Sequence, residues 1–152
     1  MIGFSLISLC HSDPEHSGDS KYYVRELLYK SRMTNSDLIE FFKKNNISKD
    51  RYIYADSSEP GRIEELRRNG YLIIPAEKDV TAGIDFVKGC SIYTLAANVN
   101  FNEEISGYCW KKDKNGLPVD YPEKGNDHSM DAMRYAIYTR YKTYTDVQVF
   151  WL

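Results

Sequence analysis

The chain has 152 residues, 42% of them hydrophobic, with 20 Lys and Arg against 22 Asp and Glu, a formal net charge of −2. That length and mixture fit one domain with its own core, here taken as residues 1–152. The charge does not mark a polyanion binder, although an acidic metal site offsets basic surface in a nuclease. Cys10, Cys90 and Cys109 are odd in number and lack C-x-x-C spacing, which argues against a disulfide framework or a zinc knuckle and for reduced, cytosolic thiols. No apolar run reaches membrane-spanning length, so an intracellular protein without a membrane is expected.

"GFSLISLC" opens the chain as a strand, and "HSDPEHSGDS" reads as a turn or loop rich in Ser, Asp, Gly and Pro. "KYYVRELLYKS" has aromatic and β-branched strand character, with helix left open by Leu27 and Leu28. Together they predict an antiparallel hairpin. "TNSDLIEFFKKNN" is a helix entered through Thr34 and Asp37, spaced as a capping box. "RYIYAD" is a short strand ending on Asp56. "SSEPGRIEELRRNG" is a helix with Pro60 near its start and Asn69-Gly70 at its end. "YLIIPA" is a buried-type strand.

"TAGIDFVKG" predicts a short helix and "SIYTL" a strand, while "NFNEEISGYCW" is ambiguous and leans helical through Glu104 and Tyr108. "KKDKNGLPV" carries Asn115-Gly116, a hairpin-turn signal. A helix runs over about residues 128–141, and the tail "TYTDVQVFWL" is apolar and strand-like. Strands first, then alternating helices and strands, predict an α/β fold with a mixed sheet.

The chemistry gathers on acids. Asp56 stands at the carboxyl end of a strand, where α/β sheets collect ligands, and a helix N-cap explains it equally well. Glu59 reads as a solvated first-turn acid. In "NDHSMDAMRY", His128 and Asp131 share one helix face, which Tyr135 and Tyr138 continue. Met130, Met133, Ile137 and Tyr141 suit the core. Asp127 fits an N-cap. Asp131 lies a turn inside, where the alternatives are a partly exposed acid paired with Arg134 or a neighbouring loop, and a ligand for Mg²⁺ or Mn²⁺. Lys111, Lys112 and Lys114 around the hairpin turn are either solvated or in contact with DNA phosphate.

The run "YADSSEPGRIEELRRNGYLIIPAEKD", then "GID", "NEEISGYCW", "KDKNG" and "NDHSMDAMRY", resembles the carboxy-terminal nuclease domain of phage terminase large subunits over about residues 22–141. The resemblance implies a ribonuclease-H-like fold, a mixed central sheet flanked by helices. It implies a metal-dependent endonuclease that cuts concatemeric double-stranded DNA during packaging, with Mg²⁺ or Mn²⁺ in a two-metal site. By match to the motifs, Asp56 and Asp131 are metal ligands, His128 is the accompanying catalytic histidine, Asp127 is supporting, and Lys78 is a basic residue near the site that touches DNA phosphate. The partners implied are double-stranded DNA and other terminase or portal components, in the cytoplasm of a host carrying a phage or prophage.

The family's first metal-binding Asp is expected in a G-x-D-x-G-like stretch ahead of a strand like "GFSLISL". No such residue stands in this sequence, nor does a phosphate-cradling G-x-x-x-x-G-K-[ST] loop. Asp13 and Asp19, in the turn after that strand, are not taken as substitutes. The first strand of the sheet is therefore expected to be missing. Its place would be filled by a shifted first segment, by the apolar tail, or by a second copy pairing through the open edge as a homodimer. Enzymatic activity stays open, the alternative being an inactive remnant that binds DNA or a packaging partner. A junction resolvase of the same fold superfamily is a third reading, against which the Tyr-x-Trp and hairpin segment speaks by resemblance.

Overall fold

A computed structural model describes residues 3–12, 20–123, 125 and 127–145 of the chain. The predicted loop over residues 13–19 and the strand-like end of the tail, residues 146–152, lie outside the described residues. Those described residues that belong to Met1–Arg32 and Asp79–Arg134 form one compact unit, and those of Met33–Lys78 and Tyr135–Leu152 a second.

In the first unit, β1 (Gly3–Ser12) and β2 (Lys21–Ser31) pair antiparallel, with a bulge between Leu6 and Ile7. The helix alternative for β2 is thereby excluded. β2 also pairs in parallel with β5 (Ser91–Thr94), giving a mixed sheet in the order β1-β2-β5. α3 (Val80–Lys88) starts at Asp79, whose side chain accepts the Ala82 N–H at 3.0 Å. α4 (Val99–Gly107) stops at Gly107, short of Tyr108, which the helical reading of this segment included. Tyr108 is already extended, and Trp110 opens a hairpin of β6 (Trp110–Lys112) and β7 (Pro118–Pro122). The turn is closed by Gly116 N–H donating to the Asp113 carbonyl at 3.1 Å. Gly116 sits at φ 80°, a conformation that disfavours any residue with a Cβ.

In the second unit, α1 (Asn35–Lys44) carries the predicted capping box, Thr34 and Asp37 exchanging side-chain and backbone bonds at 2.9 and 3.1 Å. β3 (Tyr52–Ala55), α2 (Pro60–Arg68) and β4 (Leu72–Pro75) form a parallel strand-helix-strand unit. Leu38, Phe42, Ile63, Leu66, Tyr71 and Ile73 are buried, and the Phe42 and Tyr71 rings meet edge to face at 5.0 Å.

α5 (His128–Thr145) gives its first turns to the first unit and the rest to the second. It runs past the predicted end, so residues 143–145 are helical where a strand was expected. Met130, Met133 and Ile137 are buried as predicted, but Tyr138 joins them and Tyr141 is 45% exposed. The period sets which way a face points and does not say how far along the helix that face is covered. Among the described residues no helix is long and apolar enough to cross a membrane.

Candidate active site

In the second unit, parallel pairing positions the first candidate residues. Tyr52 to Ala55 run beside Leu72 to Pro75 in register, so the residues after both strands emerge at one edge. Asp56 follows β3 there, and Lys78 comes three residues after Pro75. Their side chains form an ion pair at 2.6 Å. The Asp56 Oδ1 also accepts the Ser58 N–H and hydroxyl, each at 2.8 Å. These three donors converge on Oδ1, and Oδ2 takes none of them. Partial burial pushes the Asp56 pKa up, but Lys78 and the two Ser58 donors outweigh it and hold the carboxyl below the usual range.

This geometry removes the N-cap explanation for Asp56. The N-cap position of α2 is Glu59, which makes no side-chain capping bond. Asp56 instead closes a local turn, its carbonyl accepting the Glu59 N–H at 3.1 Å. Glu59 is exposed.

In the first unit, the other candidates lie at the start of α5. Asp131, in the first turn, pairs with Arg134 at 2.7 Å, the acid 37% exposed and the arginine 5%. The pairing with Arg134 anticipated from the spacing is therefore present. His128 is half-buried, its ring 6.2 Å from that of Tyr29. Asp127 precedes the helix and its carbonyl accepts the Asp131 N–H at 2.8 Å. Burial first, and then the Asp131 charge, push the Asp127 pKa up.

Asp127 does not meet the helix N–H groups that an N-cap side chain usually takes. Those of Ser129 and Met130 go to Glu104 Oε2, at 2.7 and 3.2 Å. Sequence reasoning missed Glu104, yet a signal existed: it falls three residues after Phe101, the most deeply buried residue of α4, and so on that helix's inward face. Tyr29 was missed as well; its hydroxyl donates to Glu104 Oε1 at 2.8 Å. Burial, and then that bond, push the Tyr29 phenol up to about 12. Asp127, Glu104, Glu103, Glu123, Tyr29 and Tyr108 line a cleft of about 330 Å³ in the first unit. Burial, and then the Asp131 charge, push the Tyr108 phenol up.

Lys111, Lys112 and Lys114 are all exposed, the first two on β6 and the third in the turn. Their placement leaves both of their predicted roles standing.

Asp56 and Asp131 offer hard, partly exposed oxygen donors, the kind that Mg²⁺ and Mn²⁺ take. Among the described residues no three His, Cys, Asp or Glu side chains gather to hold an ion by themselves. Such ions are commonly held by one or two carboxylates plus water and phosphate oxygens. Each carboxylate, taken by itself, therefore suits an ion that completes its shell with water and phosphate oxygens.

Residues 16–139 match the family described as the terminase RNAseH like domain. The chain is 27% identical over 134 residues to the PBSX phage terminase large subunit of Bacillus subtilis (strain 168), covering 82% of this chain and 29% of that protein. It superposes on the nuclease domain of the g2p large terminase from bacteriophage SPP1, solved with bound Mn, with a TM-score of 0.74 and 25% identity, over 89% of this chain and 78% of that one. The large terminase of a thermophilic bacteriophage, in complex with ADP, superposes with a TM-score of 0.69 and 24% identity, over 90% of this chain and 39% of that one. The chain thus spans under a third of the PBSX subunit.

Proposed function

The chain belongs to the terminase RNAseH like domain family, and from that membership we propose that it is a single nuclease domain, residues 1–152, that cuts concatemeric double-stranded DNA during phage packaging. Its α/β architecture is the ribonuclease-H-like fold of the terminase nuclease domain. The observation that carries the proposal is a pair of partly exposed carboxylates, Asp56 just past β3 and Asp131 in the first turn of α5, each balanced by a basic side chain. The bound Mn of the SPP1 domain supports divalent-ion use.

Asp56 and Asp131 would hold Mg²⁺ or Mn²⁺. When bound, such ions activate a water and stabilise the attacking and leaving oxygens of a phosphodiester. The chain's own residues do the rest. Lys78 and Arg134 neutralise the carboxylates before loading. Once released from Asp56, Lys78 meets a DNA phosphate. His128 orients the attacking water or touches the phosphate, with Asp127 supporting it. Lys111, Lys112 and Lys114 hold the DNA backbone without reading bases. The partners are then double-stranded DNA and other terminase or portal components, in the cytoplasm of the host cell.

Incubation with supercoiled plasmid tests this. Mn²⁺ or Mg²⁺ is expected to support nicking, EDTA to stop it, and Asp56→Ala or Asp131→Ala to abolish it. No cleavage with any divalent ion would overturn the enzymatic reading.

A second reading is an inactive chain that binds DNA or a packaging partner. It is favoured by the same two ion pairs, if Lys78 and Arg134 stand as permanent substitutes for metal. Plasmid retention in a gel without nicking is its expected result. Among the described residues β1 is an outer strand of its sheet, so a homodimer would pair there. A sedimentation mass of one chain would remove that arrangement.

A further inference from the structure

A helix begins with N–H groups that have no partner inside it. At the start of α5 the residue placed to satisfy them is Asp127, yet the Ser129 and Met130 N–H groups are taken by Glu104 of α4. Glu104 is 7% exposed, and its other oxygen takes the Tyr29 hydroxyl from β2. A buried carboxylate is costly unless several donors meet it, and here three do. Its charge also lies at the helix end where negative charge is favoured.

α4 is itself fixed in the same manner. The Asn98 side chain makes no capping bond to α4 and binds β2 instead, accepting the Glu26 N–H at 3.0 Å and donating to the Val24 carbonyl at 2.9 Å. Glu26 of β2 supplies the contacts to α4. Its Oε2 accepts the Phe101 N–H at 2.7 Å, and its Oε1 accepts from the Asn100 amide at 2.6 Å. Two carboxylates thus act in series: β2 fixes α4 through Glu26, and α4 fixes the first turn of α5 through Glu104. Ser129 is further tied to Ser5 of β1, hydroxyl to hydroxyl at 2.9 Å.

We propose that Glu104 is a positioning residue for the metal-binding face of α5, a role that rests on the nuclease reading above. It holds the turn that carries His128 and Asp131. By occupying the helix N–H groups it also leaves the Asp127 carboxylate at the cleft. Tyr29 holds the far oxygen of Glu104 and lays its ring beside His128.

The test uses the full chain with Glu104→Gln, which keeps shape and loses charge, and Tyr29→Phe, which keeps the cap and loses one donor. Amide exchange and Mn²⁺ binding followed by electron paramagnetic resonance are the readouts. Glu104→Gln is expected to speed exchange at Ser129 and Met130 while leaving Ile137 unchanged, and to weaken Mn²⁺ roughly 10- to 100-fold, the usual cost of losing a residue that orients a ligand. Tyr29→Phe is expected to weaken it about fivefold, the equivalent of one ordinary hydrogen bond. Faster exchange at unchanged Mn²⁺ affinity would make Glu104 a structural cap alone and overturn the proposal, as would unchanged exchange. Wild-type chain that binds no Mn²⁺ would instead bring down the metal-dependent reading, and the positioning role with it. If Glu104→Gln does not fold, Tyr29→Phe decides: wild-type Mn²⁺ affinity in that variant counts against the role.

Discussion

Asp56 has two neighbours of different origin. Ser58 is local, and its two donors follow from the Asp-Ser-Ser turn. Lys78 arrives only because β3 and β4 run parallel in register. The folded carboxyl therefore titrates below its unfolded value. Its contribution to stability is present above the ordinary carboxylate pKa and is lost as pH falls through the depressed value. Both side chains are well exposed, so solvent screening keeps the pair below about 1 kcal/mol. Lys78→Met is expected to lower the urea midpoint slightly at pH 7, and by progressively less as acid protonates Asp56 in both proteins. A loss that does not change with pH would assign the effect to packing. Asp56 and Asp131 were legible as candidates because one ends a strand and the other lies inside a helix. Their cations were legible unequally: Arg134 is three residues from its acid, whereas the partner of Asp56 depends on strand register. Glu104 was legible in principle, as an acid on the buried face of a short helix, but nothing in its spacing says that it binds another helix.

Element boundaries were legible wherever side-chain chemistry sets them. Thr34 and Asp37 fix the start of α1 through bonds three residues apart, so the sequence contains the whole device. Thr34→Ala is expected to cost about 1 kcal/mol, read as a lower denaturation midpoint, with little effect on the chemistry of the site. No change would mean that α1 is held by packing alone. Ends set by packing were less legible. α4 stops at Gly107 because Trp110 is recruited into β6, where it pairs with Pro122. α5 continues beyond residue 141 although Tyr141 itself is not covered. The β2 ambiguity, caused by Leu27 and Leu28, was settled by two neighbouring strands that no local pattern reveals.

At the scale of the molecule, the α/β class followed from the order of elements, but strand pairing did not. β2 lies beside β5, far along the chain, in the pairing of Lys21 with Ser91. Hydrophobic period is a local quantity and is blind to that distance. The resemblance supplied a mixed central sheet as a class and did not specify this pairing. The same holds for the proposed metal site: "NDHSMDAMRY" by itself gives a helix start with one acid a turn inside, and only the resemblance proposes a shared chemistry with Asp56. The most direct measurement is a crystal structure of the chain grown with Mn²⁺, with manganese located by its anomalous scattering. The expected result is manganese bonded to the Asp56 and Asp131 carboxylates, with Lys78 and Arg134 released from them. Manganese absent from both, with the two ion pairs unchanged at saturating Mn²⁺, would contradict the nuclease reading.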